Sequence, residues 1–499
     1  MNYISVHNNQ RIALGAIPTL EYGQFRDVVL NELLTGDNAH CVNYYGYRVG
    51  PGVKLICCIA NDDDGLIHIL STMVDPGDEL PSITASKLSF HAFEREIHEN
   101  FGIRYTDHPW LKPIRFPFDR ANKSSTIANY PFYTIESEEL HEVGVGPIHA
   151  GVIEPGHFRF ICNGEQILHL EIQLGYQHRG VEQLFLTRKG LLQRATLAEN
   201  IAGDTVIGHT TAFANVWESL CGYEPSEKLQ FDRALALENE RIAIHTGDLS
   251  ALCTDIAYQL GSSVFGRLRT PIINYFQQWC GNRLAKSLIR PGKTNFPFTP
   301  ELGQTWLRMI DGYYPHFTEM ADKLFDLPSA LARLEKTGVV STETAREIGM
   351  VGMAARASGL KRDIRASHPS GYLKNLQHEP LLGKTGDVRD RAMIRYEEIL
   401  QSVARIRGMI ANMPADEGTA GPLSTPAPDS FAISLVEAWR GEVCHCAITD
   451  HEGELAHYKV KDPSLHNWLA LAMAVRNNEI SDFPICNKSF NLSYCGHDL

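Results

Sequence analysis

CVNYYGYRVGPGVKLICCIANDDDGLIHILS, residues 41 to 71, reads as three strands joined by two tight turns. CVNYYGYRV and VKLICCIA flank Pro51-Gly52, and LIHILS follows the turn Asp62-Asp63-Asp64-Gly65. A helix is expected next. Ser82 or Thr84 can cap it, Leu88, Ala92, Phe93, Ile97 and Phe101 share one face, and Gly102 closes it. Residues 1–118 are therefore expected to form a small α+β domain.

Outward from this unit, residues 119–145 have weak periodicity, with a late cluster of Glu136, Glu138, Glu139 and Glu142, and read as a connector. In ILHLEIQLG, from Ile167, the residues Leu168, Leu170, Ile172 and Leu174 alternate with His169, Glu171 and Gln173 as a strand requires. Helical patterns then dominate. Phe231, Leu235, Ile242, Leu249, Leu252, Ile256 and Leu260 form one stripe, and Tyr396, Ile399, Leu400, Val403, Ile406 and Ile410 another. Pro414 to Ser430 reads as an exposed loop, and FAISLVEAWRGEVCHCAITD after it as a hairpin turning near Arg440-Gly441. Residues 146–499 are thus expected to be a mainly helical bundle with peripheral β-strands, whose two β-rich ends pair with each other around the bundle.

The chain of 499 residues is long enough for about three domains. With 46 basic against 59 acidic side chains, and a formal charge of −13, it does not read as a nucleic-acid binder. No apolar run reaches the length of a membrane span, and MNYISVHNNQ carries no basic start or apolar stretch, so a cytoplasmic chain is expected. Its 11 cysteines are scattered without a Cys-x-x-Cys pair, which argues for buried thiols rather than metal ligands.

The run HAFEREIHENFGIRYTDHPWLKPIRFPF, residues 91 to 118, resembles the signature of the 30-kDa subunit of respiratory complex I and its hydrogenase counterparts. GPIHAGVIEPGHFRF (146–160), LGYQHRGVEQLF (174–185), ALENERIAIHTGD (236–248), RASGLKRDIR (356–365), GDVRDRAMIRYEEI (386–399) and VEAWRGEV (436–443) resemble the 49-kDa subunit of complex I. They equally resemble the large subunit of membrane-bound nickel-iron hydrogenases of the formate hydrogenlyase type, whose fused domain order this chain shares. The resemblance implies a subunit of a membrane-associated, NADH- or quinone-linked redox complex, peripheral on the inner face of the cell membrane. Its implied partners are a small iron-sulfur subunit with a 4Fe-4S cluster and membrane-embedded antiporter-like and anchor subunits, so that membrane contact is indirect.

Catalytic hydrogenases of this family hold nickel and iron with four thiolates in two Cys-x-x-Cys pairs. The resemblance places the first pair in ENIAGDTVIGH, on Ala202 and Thr205, and the second in NLSYCG, on Ser493 and Gly496. No cofactor bound by this chain is expected. In complex I the vacated space is a quinone pocket; its histidine corresponds to His149 or His157, and the family's quinone-contacting tyrosine falls at Asn200. Glu154 matches a proton-passing glutamate and Arg440 an arginine over the metal centre, while Asp204 and His209 are expected to project toward the same cavity. Such a set, Glu154, His157, Asp204, His209 and Arg440, is suited to proton handling because burial and mutual charge tune ionisation.

Blander roles compete at several positions. His178 and Arg179 fit packing, or contact with a neighbouring iron-sulfur protein, as well as chemistry. Glu238, Arg241, His245 and Asp248 fit an internal salt-bridge network as well as a proton path. His91, Glu94, Arg95 and Glu96 read as interface and helix-surface residues. Three functions are therefore in play: an electron-accepting subunit with a metal-free cavity, a redox-silent docking subunit, and, least favoured, an active nickel-iron hydrogenase.

Overall fold

The computed structural model describes residues 2–149, 153–416 and 421–499, so part of the loops 146–157 and 414–430 lies outside the described residues. The strands Ala39–Val49, Gly52–Asn61 and Leu66–Val74 form the expected antiparallel meander. Ile4–Val6 adds antiparallel and Thr19–Leu20 parallel to Leu66–Val74, which makes a five-stranded sheet. The helix His91–Phe101 lays Ala92, Phe93 and Ile97 on this sheet against Tyr44, Leu55 and Cys57. Gly102 ends it in the left-handed conformation, φ 75°, as a closing glycine should.

Ser82 and Thr84 do not cap that helix. Both hydroxyls, with the amides of Ile83 and Thr84, donate to the carboxylate of Glu94 at 2.5 to 3.2 Å. A carboxyl buried on the sheet-facing side needs four donors more than the helix end needs a cap. His91, Glu94, Arg95 and Glu96 are correspondingly buried rather than on a helix surface. Glu96 pairs with Arg115 at 2.8 Å and with Lys459 of the second domain, so the helix forms the seam between the two halves of the chain.

In the second half, the helices Val206–Cys221, Glu227–Asp255, Gln259–Cys280, Pro300–Asp326 and Val388–Ala411 make the bundle. Ser226, Thr299 and Asp387 each accept a bond from an amide of the first turn of the helix they precede, which sets three of the starts. Phe231, Leu235, Ile242, Leu249 and Leu252 are buried as their spacing predicts, but the 29-residue helix stops at Asp255, and Leu260 is 57% exposed on the next one.

The two β-rich ends of the second domain do not pair with each other. His157–Asn163 pairs with Gln166–Gln173 and, on its other edge, with His141–Val145, the last stretch of the segment read as a connector. The hairpin strands Ser430–Glu437 and Glu442–Thr449 instead pair with Leu455–Lys461 and with Arg11–Ala13 from near the N-terminus. The reason is burial on both faces: Ile433, Leu435, Cys444 and Cys446 face Val42, Ile56 and Cys58 of the first domain, while Ala432 and Ala447 pack with Phe213 and Val216 of the bundle. A strand pair sandwiched in this way is an internal layer rather than a rim.

Candidate functional site

Four segments converge near the C-terminus: the loop 199–205, the hairpin tip 438–441, the turn around Glu154 and the tail 491–499. The hairpin tip is close-packed because Gly441 (φ 139°) and Gly352 (φ 69°) approach so closely that a Cβ on Gly352 would lie 2.3 Å from the Gly441 Cα. That contact aims Arg440 at the loop. Its guanidinium donates two bonds to Asp204, at 2.6 and 2.9 Å, and one to the Thr205 hydroxyl at 3.0 Å, while Nε donates to the Asn491 carbonyl at 2.5 Å. Arg440 also lies 4.0 Å from the centre of the Trp439 ring, whose indole N–H donates to the Asp204 carbonyl at 2.8 Å. Arg440 is 3% exposed and Asp204 38%, so the pair has one dry and one wet end.

Arg179 supplies a second clamp. Its guanidinium donates to the carbonyls of Asn200 and Ile201 and to that of Cys495, at 2.5 to 2.9 Å, and His178 Nδ1 donates to the Asp498 carbonyl at 2.8 Å. Together, Arg440 and Arg179 tie the loop 199–205 to the tail. Asn200 spends its amide on Thr196 and Lys286.

The positions that the resemblance assigns to metal thiolates, Ala202, Thr205, Ser493 and Gly496, are buried and carry no sulfur. A Cβ at Gly496 would lie 2.7 Å from Asp462 Oδ2 and 2.8 Å from Ser493 Oγ, and Ser493 is occupied as the N-cap of the last helix, Tyr494–Asp498. Cys495 is the one thiol in the tail after Cys486. Burial and then the Glu154 carboxylate push it up to about 12, which keeps it a thiol at neutral pH. This donor set does not fit a thiolate-held nickel-iron centre.

Glu154 accepts from the Tyr494 and Cys495 amides at 3.2 and 3.5 Å, at the start of the last helix. His149 Nε2 donates to the Gly156 carbonyl at 2.9 Å and His157 Nδ1 to the Gly146 carbonyl at 3.0 Å. These bonds assign the tautomers, because a carbonyl can only accept. His157 Nε2 is buried without a hydrogen-bond partner, so in the neutral ring it is a bare acceptor.

His209 does not project beside Asp204. It is fully buried one helical turn further on, with Nε2 3.0 Å from Asp462 and Nδ1 3.1 Å from His445 Nε2, while His445 Nδ1 lies 2.8 Å from the Tyr458 hydroxyl. With both rings neutral, one proton arrangement satisfies all three bonds: Tyr458 donates to His445, His445 to His209, and His209 to Asp462. Burial opposes the Asp462 charge, but His209 and Arg440 hold it down at about 2. Burial, then His209, keeps His445 well below the ordinary imidazole value.

Glu240, absent from the sequence-based candidates, lies on the other side of Asp204. It accepts the amides of Ile207 and Gly208 at the start of the helix Val206–Cys221, at 2.8 and 3.3 Å. Burial, followed by the nearby Asp204 charge, nevertheless raises it to about 8. A cleft of about 10 Å³ lined by Asp204, Glu240 and Arg283 has room for about one water. Its sequence signal was weak, since Glu240 is one acid among several in ALENERIAIH.

Glu238, Arg241 and His245 belong to a buried ionic cluster. Glu238 accepts from Ser402 and Arg405 at 2.6 and 2.9 Å, His245 Nε2 donates to Glu398 at 2.8 Å, and Arg241 donates to the carbonyls of Glu437 and Ala438. Asp248 is paired separately with Arg395 and Asn491 at 2.8 and 2.7 Å. Each side chain of that line has a partner. Among the described residues, no group of three or more His, Cys, Asp or Glu side chains is arranged to hold a metal ion, and no helix is long and apolar enough to cross a membrane.

Two family descriptions match this architecture: the respiratory-chain NADH dehydrogenase 30 Kd subunit over residues 31–123 and the 49 Kd subunit over residues 259–429. The chain thus carries a complex I 30-kDa-like region followed by a 49-kDa-like region, the order of the fused subunits, and its relatives are oxidoreductase subunits. Among its relatives, formate hydrogenlyase subunit 5 of Escherichia coli (strain K12) is 28% identical over 92% of this chain and 82% of its own length. Hydrogenase-4 component G of the same organism is 26% identical over 92% of this chain and 80% of its own length. An NADH-quinone oxidoreductase subunit of Phocaeicola vulgatus is 28% identical over 81% of this chain and 84% of its own length. The fold is also that of a chain in the structure of the membrane-bound sulfane sulfur reductase, an archaeal respiratory membrane complex. The TM-score is 0.67 at 21% identity, over 74% of this chain and 100% of that one.

Proposed function

We propose that this chain is a catalytic-module subunit of a membrane-associated, complex I-like and hydrogenase-like oxidoreductase, metal-free at the position where hydrogenases hold nickel and iron. It receives electrons beside the 4Fe-4S cluster of a small partner protein, in an NADH- or quinone-linked complex, and couples their transfer to ion translocation, with membrane-embedded subunits as further partners. Residues 1–118 form the 30-kDa-like domain of this reading, 119–145 its connector and 146–499 the 49-kDa-like domain. The observation that carries the reading is the Arg440–Asp204 pair: a guanidinium and a carboxylate close the space between Thr205 and the tail, where a binuclear centre would need four sulfurs. Glu154, His157, Asp204, His209 and Arg440 are the groups assigned to protons. His157 Nε2, or His149 through its second nitrogen, is the candidate contact for a quinone carbonyl. A neutral His157 has no proton left to give there, so quinone binding at this ring calls for the imidazolium.

The complex purified through a tag on this chain tests the proposal. Its iron-sulfur clusters are reduced and their reoxidation is followed by electron paramagnetic resonance, with and without added quinone, alongside nickel analysis. The expected result is negligible nickel and quinone-dependent reoxidation that His157→Phe abolishes. Stoichiometric nickel would sink the metal-free reading, and clusters that stay reduced with every acceptor would favour a redox-silent docking subunit.

A further inference from the structure

A solvent-reaching cavity of about 580 Å³ lies between the N-terminal segment, the helix Val206–Cys221, the strand Ser430–Glu437 and the turn after Ser370. Its rim carries the exposed side chains of His7, Gln10 and Lys374, and its wall includes Thr211, Arg365 and Glu437. Three polar atoms of lining residues, Asn9 Oδ1, Thr211 Oγ1 and Arg233 Nε, are buried without a hydrogen-bond partner in the protein. Such atoms in a roomy polar cavity are where ordered water binds.

Behind that wall lies the buried ionic cluster. It contains four arginines, Arg241, Arg356, Arg365 and Arg405, against four carboxylates, Glu238, Asp363, Glu398 and Glu437. Three of the acids are held by more than one arginine. Glu398 meets Arg356 and Arg365 at 2.8 and 2.6 Å, Asp363 meets Arg365 and Arg356 at 2.6 and 3.4 Å, and Glu238 meets Arg405 and Arg241 at 2.9 and 3.7 Å. Glu437 is the exception: one guanidinium, Arg356, at 2.7 Å, and one amide, Ile364, at 3.2 Å. Facing it are Arg356 from one helix, Asp363 and Arg365 from the segment that follows, Glu398 across Arg356 from the helix Val388–Ala411, and Arg241 on its carbonyl.

We propose that Glu437 is the proton-exchange gate of this cluster, a carboxyl that takes a proton from water in the 580 Å³ cavity and returns it there, so that the cluster gains and loses one charge. Burial and then the Asp363 charge set Glu437 at about 7, whereas burial is overcome at Glu238, which sits at about 2, and at Asp363 and Glu398, which lie well below the carboxylate range. When Glu437 releases its proton the cluster is balanced, four charges against four. When it binds one, the cluster gains a single positive charge, and no other bond is made or broken. The inference deepens the proton-handling part of the proposed function and rests on it, but its readout needs no electron transfer.

Infrared difference spectroscopy on the full chain, in whatever assembly co-purifies with it, tests the gate. A protonated-carboxyl band that disappears as pH rises through about 7, and that Glu437→Gln removes, is expected. In Thr211→Met, which puts a bulkier apolar side chain into the cavity wall and sacrifices no protein hydrogen bond, the midpoint stays and hydrogen–deuterium exchange of that band slows severalfold. If no band titrating through about 7 is lost in Glu437→Gln, the Glu240 band at about 8 being common to both proteins, or if exchange is as fast in Thr211→Met as in the parent, the proposal is overturned. Should Glu437→Gln not assemble, Glu437→Asp must move the band and its midpoint; an unmoved band has the same negative force. Loss of the band with proton-coupled turnover intact would uphold the gate and refute the coupling in the proposed function.

Discussion

Glu240→Gln isolates the energetic cost of a single buried acid. In the folded chain its carboxyl is carried from an ordinary 4.5 to about 8 by burial and the Asp204 charge, against two amides that favour the ion. Each pH unit between those values is worth about 1.36 kcal/mol, so the whole displacement is worth about 5 kcal/mol. The sign follows from proton binding. Between about pH 4.5 and 8 the folded chain holds a proton that the unfolded chain has released, so this group's contribution is fully present below 4.5 and is lost as pH rises toward 8. From about pH 5.5 to 7.5 the parent is expected to lose about 2.7 kcal/mol relative to Glu240→Gln, which keeps an acceptor for the shorter bond, from Ile207, and has no charge to bury. Chemical denaturation of the two proteins at those pH values reads the difference directly. Parallel pH dependences would refute the reasoning, and so would a parent that gains stability relative to the variant as pH rises.

Other substitutions probe the rest of the site. Arg440→Met leaves Asp204 its solvent-exposed side but strips two segments of their staple; a stability loss of about 2 kcal/mol is expected, with faster proteolysis of the tail 491–499. Equal cleavage rates would show that Arg179 alone holds the tail. His445→Phe cuts the chain from Tyr458 to Asp462 in the middle and leaves the Tyr458 hydroxyl and His209 Nδ1 unpaired, at a cost of about 1–3 kcal/mol for each group in thermal or urea unfolding. An additional Tyr458→Phe exchange recovers part of that loss, and failure to recover any would deny the hydrogen bond between them. Cysteines introduced at 202, 205, 493 and 496 are expected to yield an unstable chain without nickel, because a side chain at Gly496 collides with Asp462; metal analysis of the purified variant checks this.

The helical bundle and the small α+β unit were legible because their signals are local. Apolar runs bounded by turn residues between 41 and 71, and period-3.6 stripes in the second half, appear as the expected strands and helices. Strand partners were not legible. The hairpin 430–449 reads the same whether it closes on Ile167–Leu174 or, as it does, on Arg11–Ala13, since pairing depends on which apolar faces meet and not on the strand's own pattern. The same holds for polar side chains: Ser82 and Thr84 look like caps until a buried Glu94 across the turn claims them.

By itself, the sequence determined the order of the 30-kDa-like and 49-kDa-like regions, the absence of any Cys-x-x-Cys pair, and the residues from which a polar site had to be built. Only the tertiary structure decided how those residues divide. Arg440 joins Asp204 at the wet end of the tail, His209 turns inward to His445 and Asp462, and Glu240, Glu398 and Glu437 enter as acids that no motif singled out. Ionisation is the physical reason. A carboxyl's charge is set by how many guanidiniums and amides reach it and how much water is excluded, and both are properties of the packed molecule rather than of the residue.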